Sequence, residues 1–350
     1  MMIYRKRILI LKLGAIGDVV MASSLITAID FKYPGAEITW VCGKNVKQLL
    51  TGFNRINNLI SIDEILFYKG NLFNKLKIIV EIWKNIFFKR FDIVLNCYRD
   101  KRYKILLLPA IAEKYLDFSG KSKCFTFIPG RYHSDEYSRL ILSHNDWQII
   151  PSSLPHFYVS ENSTIITQIK NTGSPIIILA PGGAANILHT DDLRRWDIEK
   201  YLELAKELIN HKYSVVLTGS ENDRWISEKF STLEVNDLIG KTSLVDLIYL
   251  FNKSSVIVTH DTGVLHLAKL SSIKIIALFG PINPKERIGV KENIEVIWGG
   301  NNLSCSPCYD GKNFSDCKNN ICMNNISVNQ VLNNISFIFD QSEHSNKLFN

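Results

Sequence analysis

Two short segments hold residues whose types and spacing could do chemistry. The first is Lys12-Leu13-Gly14-Ala15-Ile16-Gly17-Asp18, where the apolar run Ile8 to Leu13 stops at a Gly-x-x-Gly turn and a carboxylate. Two glycines let backbone approach a ligand closely. Asp18 at a helix start is stabilised by the helix dipole, so it reads either as a cap or as a base facing a cleft. The second segment is Val256 to Leu270. Three β-branched residues favour a buried strand, Thr259 to Gly263 is small and polar, and Leu265, Leu267, Ala268 and Leu270 suit a helix. Asp261 and Thr262 are cap types, and a helix start offers unpaired N–H groups that suit a phosphate. His266 lies four residues after Thr262, hence on the same helix face. The plainer reading is a capped helix whose histidine packs against a strand.

The rest of the chain reads as elements that position such turns. Ile8–Leu13, Glu37–Val41 and Phe91–Asn96 read as strands. Val19–Ala28 and Lys75–Phe88 read as helices, the latter amphipathic and basic. Residues 119–160 are irregular, with Pro151 and Pro155 bracketing a linker. A second series follows. Strands Pro175–Ala180, Ser214–Thr218, Val256–Val258 and Lys274–Phe279 end in turns at Gly182, Gly219, Asp261 and Gly280, and Asp197–Asn210 is a periodic helix. Strands alternating with helices predict an α/β fold of parallel, doubly wound sheets, in which those turns share one edge and make a nucleotide-sized phosphate site. The expected domains are residues 1–155, 156–330 and a tail, 331–350.

Charge is unevenly placed. The net charge is +7, with +10 in residues 1–155 and −3 beyond. Lys69 to Lys104 holds ten basic residues opposed only by Glu81, Asp92 and Asp100. Such a face attracts anionic lipid, acidic glycans or nucleic acid, although charge runs are usually solvated helix faces. No nucleic-acid-binding motif accompanies it, so nucleic acid is not an expected partner. No apolar run reaches a membrane span, and Lys12 interrupts the N-terminal run, so the protein is expected in the cytoplasm. The missing Gly-x-Gly-x-x-Gly disfavours a NAD oxidoreductase.

Cys42, Cys97 and Cys124 are scattered and read as small buried apolar groups. Cys305, Cys308, Cys317 and Cys322 cluster with spacings that could hold a structural zinc. The alternative is a plain loop with free thiols.

Taken in order, Lys12-Leu13-Gly14-Ala15-Ile16-Gly17-Asp18, Pro181-Gly182-Gly183, Arg194-Arg195-Trp196, Asp261-Thr262-Gly263 with His266, and Phe279-Gly280-Pro281 resemble glycosyltransferase family 9, the ADP-heptose:lipopolysaccharide heptosyltransferases. The resemblance spans roughly residues 5–330. It implies a GT-B architecture, two Rossmann-like domains facing across a cleft, the first binding the acceptor and the second the ADP-sugar, in which the tail 331–350 can cross back to the first domain. It further implies inverting transfer with Asp18 as catalytic base. Donor contacts would come from Gly182, Gly183, Arg194, Asp261, Thr262, Gly263, His266 and either Glu221 or Asp223. Lys12, Gly14, Gly17, Arg99, Lys101 and Arg102 would lie on the acceptor side. No catalytic metal or other cofactor is implied. The partners would be an ADP-sugar, a lipopolysaccharide or other acidic glycolipid, and, peripherally, the anionic inner face of the cytoplasmic membrane. Two departures are visible: Arg194 stands where the family often has lysine, and Gly14-Ala15 where it often has a small hydroxyl residue. The alternatives are a transferase using another nucleotide sugar and a catalytically silent binding relative.

Overall fold

The computed structural model describes residues 5–118, 128, 130–142, 153–159, 163–170, 173–184, 191–289, 293–310 and 313–348. Cys124 and Pro151, both read above, lie outside them. The chain forms two compact units, Met1–Tyr158 and Val159–Asn350.

The first unit holds β1 (Arg7–Leu11), β2 (Glu37–Gly43), β3 (Ile56–Ile62), β4 (Arg90–Asn96) and β5 (Ile111–Asp117). Their order is β3-β2-β1-β4-β5, with every pairing parallel. Parallel pairing requires crossovers. These run through α1 (Ile16–Ala22), α2 (Ser24–Lys32), α3 (Lys44–Thr51), α4 (Glu64–Lys69) and α5 (Leu72–Ile86), and α6 (His133–Arg139) follows β5. Helices on both faces bury the central strands, which therefore read as continuous apolar runs: Ile8 to Leu11 are fully buried.

In the second unit, β6 (Ile176–Ala180), β7 (Ser214–Leu217), β8 (Asn236–Asp237), β9 (Val256–His260), β10 (Lys274–Phe279) and β11 (Ile294–Trp298) pair in parallel. The order β11-β10-β9-β6-β7-β8 is the doubly wound nucleotide-binding order. Each sheet has one switch point, where the chain reverses its direction of travel across the sheet. In the first it lies between β1 and β4, in the second between β6 and β9. Ligands of such sheets sit outside the strand ends at those places.

The structure differs from the sequence reading in four ways. The helix expected over Val19–Ala28 is two helices, broken at Ser23, whose hydroxyl donates to the Val20 carbonyl (2.7 Å). It starts at Ile16, so Gly17 and Asp18 lie in its first turn. Residues 119–160 are not wholly irregular, because they contain α6. The last segment is a helix, Val328–Leu348, whose Val331 and Ile335 are buried in the core of the second unit. No helix among the described residues is long and apolar enough to cross a membrane.

Candidate functional site

At the first switch point, backbone bonds fix the turn after β1. Lys12 N donates to the Val41 carbonyl (3.1 Å) and Gly43 N to the Leu13 carbonyl (2.9 Å). Leu13 N donates to the Tyr98 hydroxyl (2.9 Å). Gly14 lies close to Glu64, and a Cβ there would lie 2.6 Å from Glu64 Oε1, so that carboxylate would have to move. Glu64 is itself buried, and burial raises its carboxyl above the usual range.

Asp18 accepts from Lys12 Nζ at 2.8 Å. The pair is lopsided: the Lys12 side chain is 5% exposed, that of Asp18 42%. Lys12 Nζ lies 4.6 Å from the Tyr98 ring centroid and 5.7 Å from that of Tyr137. Burial alone would depress its ammonium, but Asp18 and the two tyrosines hold it well above its ordinary value. Lys12, placed on the acceptor side by the resemblance, faces Asp18 from the core. Behind it, Tyr98 stacks on Tyr103 at 3.6 Å, and the Tyr103 and Tyr68 hydroxyls share a hydrogen bond of 2.7 Å. Gly17 is buried in α1. Arg99, Lys101 and Arg102 follow β4 on the same edge and are exposed, with Arg102 paired to Asp100 (2.6 Å).

At the second switch point the side chains converge more closely. Asp261 and Thr262 follow β9 and are almost fully buried. Asp261 Oδ2 lies 3.5 Å from Arg194 and 3.6 Å from Arg287, and Oδ1 lies 3.6 Å from His266 Nε2. Burial would raise its carboxyl, but His266, Arg287 and Arg194 hold it well below the carboxylate range. His266 goes the other way. Burial pushes it below its ordinary value despite Asp261, so the ring is neutral at neutral pH.

Among the described residues, four buried polar atoms here have no hydrogen-bond partner: Arg194 Nε, Asp261 Oδ2, Thr262 Oγ1 and His266 Nδ1. Thr262 is the N-cap of Gly263–Ala268, yet its hydroxyl makes no capping bond. Buried polar groups are nearly always satisfied, so a cluster of open ones points to a polar ligand.

Glycines and arginines shape this edge. Gly183 sits at φ 81°, a conformation side chains rarely adopt, and a Cβ there would lie 3.1 Å from the Thr262 methyl, a tight contact. Its carbonyl accepts from Arg195 Nε and Nη2 at 2.9 and 2.8 Å. Its N–H donates to Asp223 Oδ1 (2.8 Å), while Asp223 Oδ2 accepts from Ser220 N and Oγ. Asp223 thus ties the turn after β6 to the turn after β7, with both oxygens engaged. Glu221 is 66% exposed and paired with Arg224. Arg194 donates to the Asp261 carbonyl (3.0 Å) and to Asp191 (3.1 Å).

Arg287 was missed in the sequence. It lies in the segment after β10 and is 8% exposed. Its carbonyl accepts from buried Lys269 Nζ (2.8 Å), and its guanidinium lies 5.8 Å from the Tyr309 ring. The signal was available, since Arg287 is the first arginine after the fourth strand-end turn. The tyrosine stack around Lys12 had no comparable signal.

The cysteine spacing does not become a metal centre. Among the described residues no group of three or more His, Cys, Asp or Glu converges to hold an ion. Cys305 and Cys317 are exposed, whereas Cys322 is buried on the short helix Ile321–Asn324. Cys42 and Cys97 are buried, as read.

Comparison with known proteins follows the same lines. The family model "Glycosyltransferase family 9 (heptosyltransferase)" matches residues 140–318, just over half of the chain. The lipopolysaccharide core heptosyltransferase OpsX of Haemophilus influenzae is 26% identical over 294 residues, 80% of each chain. The solved E. coli ADP-heptose lipopolysaccharide heptosyltransferase II superposes with a TM-score of 0.73 at 22% identity, covering 96% of this chain and 99% of that one. E. coli heptosyltransferase WaaC, solved with ADP, gives 0.68 at 16% identity, covering 95% and 99%.

Proposed function

The chain belongs to glycosyltransferase family 9, and from that premise we propose that it moves a heptose from ADP-heptose to a lipopolysaccharide core sugar. The chain is a glycosyltransferase of GT-B architecture. The finer reading rests on one observation, the cluster of unpartnered buried polar atoms around Asp261 beside two guanidiniums.

A nucleoside diphosphate suits that cluster. Arg194 and Arg287 supply fixed charge to the diphosphate, and Thr262 Oγ1, with the N–H groups at the start of Gly263–Ala268, supplies donors. Asp261 and His266 offer an acceptor and a neutral ring nitrogen to sugar hydroxyls. Glycines at 182 and 183 keep the edge open. Between the two acidic candidates, Glu221 is the ligand contact and Asp223 the bracket, because only Glu221 has an exposed carboxylate.

Transfer requires an acceptor hydroxyl held by the first unit to meet the sugar carbon held by the second. Asp18 takes the hydroxyl proton as the oxygen attacks. The bond to the diphosphate breaks ahead of attack, giving an oxocarbenium-like carbon, and attack opposite the leaving group inverts it. Charge developing on the diphosphate is met by the arginines and backbone dipoles. Arg99, Lys101 and Arg102 attract the acidic acceptor. We place this activity in the cytoplasm.

Isothermal calorimetry with ADP-heptose, ADP, UDP-sugars and GDP-sugars tests the donor. Selective binding of ADP and ADP-heptose is expected. Preference for a UDP- or GDP-sugar would overturn the donor and leave the family.

A further inference from the structure

The three most exposed large apolar side chains among the described residues are Phe88, Phe73 and Leu72, at 89, 74 and 73%. All belong to one stretch of the first unit. α5 buries Ile78, Ile79, Ile82 and Ile86 and turns Leu72, Phe73, Leu76 and Val80 outward. Phe87 and Phe88 follow, edge to face at 4.3 Å. Phe88 sits at φ 63°, a region bulky residues rarely adopt. A strained backbone that holds an aromatic ring in water points to use of that ring. Trp83 Nε1 donates to the Ile105 carbonyl (2.8 Å), which brings the exposed Ile105 and Leu108 alongside.

Cations rim this face. Lys69, Lys77, Lys84, Lys89 and Arg90 are exposed, and none pairs with a carboxylate among the described residues. Two of the acids that oppose them in sequence are engaged elsewhere: Asp92 is buried against Lys6 (2.8 Å), and Asp100 holds Arg102. Glu81 alone remains on the helix.

We propose that α5 and the Phe87-Phe88 tip form a docking surface for an anionic phospholipid bilayer. The helix lies in the headgroup plane with its outward leucine and phenylalanine side chains among the acyl chains, and the rim lysines meet phosphate. A second copy fits less well, since a twofold contact would set one cationic rim against another. The surface stands on its own residues. Its use, bringing the enzyme to a lipid-borne acceptor, rests on the function proposed above.

The test is co-sedimentation of the full chain with vesicles of phosphatidylglycerol and phosphatidylethanolamine, with phosphatidylcholine vesicles as control. The wild type should bind the anionic vesicles, more weakly at high salt, and bind phosphatidylcholine poorly. Each of Lys77→Glu and Lys84→Glu should weaken binding at least about fivefold. Phe73→Ser with Phe88→Asn should weaken it at least about tenfold. Asparagine suits the positive φ, and both sites are exposed, so the variant should keep the wild-type melting temperature. Equal binding by wild type and variants overturns the proposal. So does a concentration-dependent dimer that Phe73→Ser with Phe88→Asn dissolves, seen by sedimentation velocity without vesicle binding. Calorimetry with ADP-heptose on the same variants separates the two readings: vesicle binding without donor binding sinks the function alone, and donor binding without vesicle binding sinks the surface alone.

Discussion

Replacing Asp18 by asparagine should do two separable things, because Asp18 is tied to a residue far more buried than itself. Breaking one side of a wholly buried ion pair costs about 3–5 kcal/mol. Here the exposures are 5% for Lys12 and 42% for Asp18, so the two single variants should differ. Asp18→Asn leaves an ammonium that keeps the Tyr98 ring, Tyr137 and an amide oxygen but no opposite charge, and should cost about 2 kcal/mol. Lys12→Met leaves a carboxylate that water reaches, and should cost about 1 kcal/mol or less. The double variant should recover most of the Asp18→Asn loss. In melting temperature of the first unit, that is a drop of about 4–8 °C for Asp18→Asn and a return to within about 3 °C for the double variant.

The pH dependence carries a sign. In the wild type the Lys12 ammonium titrates above its ordinary value of 10.5, so its contribution is complete below that value and is lost as pH rises through the raised one. In Asp18→Asn only the two tyrosines are left to oppose burial, the largest effect on this group, and the ammonium should titrate below the ordinary value. The unfolded chain then binds more protons, and stability should rise with pH between about 7 and 10. Turnover behaves differently. Asp18→Asn should lower kcat at least about a hundredfold, and Lys12→Met should not restore it. Thermal melts from neutral to alkaline pH and a turnover assay with ADP-heptose check both. Equal melting temperatures for wild type and Asp18→Asn would refute the stranded-cation argument, and near-normal turnover would remove Asp18 as base.

Three further outcomes concern the second unit. Thr262→Val removes a buried hydroxyl that has no partner among the described residues, so stability should hold or rise by up to about 1 kcal/mol while calorimetric ADP affinity falls about three- to tenfold; unchanged affinity would detach Thr262 from the donor. Arg287→Met should weaken ADP about tenfold, the worth of one charged hydrogen bond, and an equal loss for adenosine would mean the arginine does not meet phosphate. Gly183→Ala forces a side chain to φ 81° and against the Thr262 methyl, and should lower stability by about 1–3 kcal/mol with weaker ADP binding; a wild-type melt would show that the turn can relax.

The central strands were legible because both faces are buried, so Ile8 to Leu11 and Ile176 to Ala180 appear as unbroken apolar runs with glycines after them. The edge strands were not. β3 reads INNLISI, β5 IAEKYLD and β11 IEVIW, each exposed on at least one face and so mixed in polarity. The same difference separates the two halves of the site. Around Asp261 the partners come from strand-end turns, which glycine, proline and cap residues mark in sequence. Around Asp18 they are Tyr98, Tyr103 and Tyr137, delivered by the segment after β4 and by α6, and nothing local in those stretches announces where they pack. The burial of Lys12 was hidden for a related reason, since the rings that cover it come from Tyr98 and Tyr137, far along the chain.

That buried lysine bears on how Asp18 can work. A base must hold its carboxylate in place and also accept a proton. Lys12, 2.8 Å away and fixed between two rings, does the first. It opposes the second, because protonating Asp18 strands the ammonium just as Asp18→Asn does. The stability lost in that variant therefore measures the resistance that proton transfer to Asp18 meets, about 2 kcal/mol, or roughly thirtyfold in rate if fully felt in the transition state. Lys12→Met removes the resistance and the positioning together. If positioning dominates, kcat falls despite a freer carboxylate. If resistance dominates, kcat rises. A fall would assign Lys12 to holding Asp18 in line with the acceptor hydroxyl, and that is the outcome expected for an ion pair with one member so deeply buried.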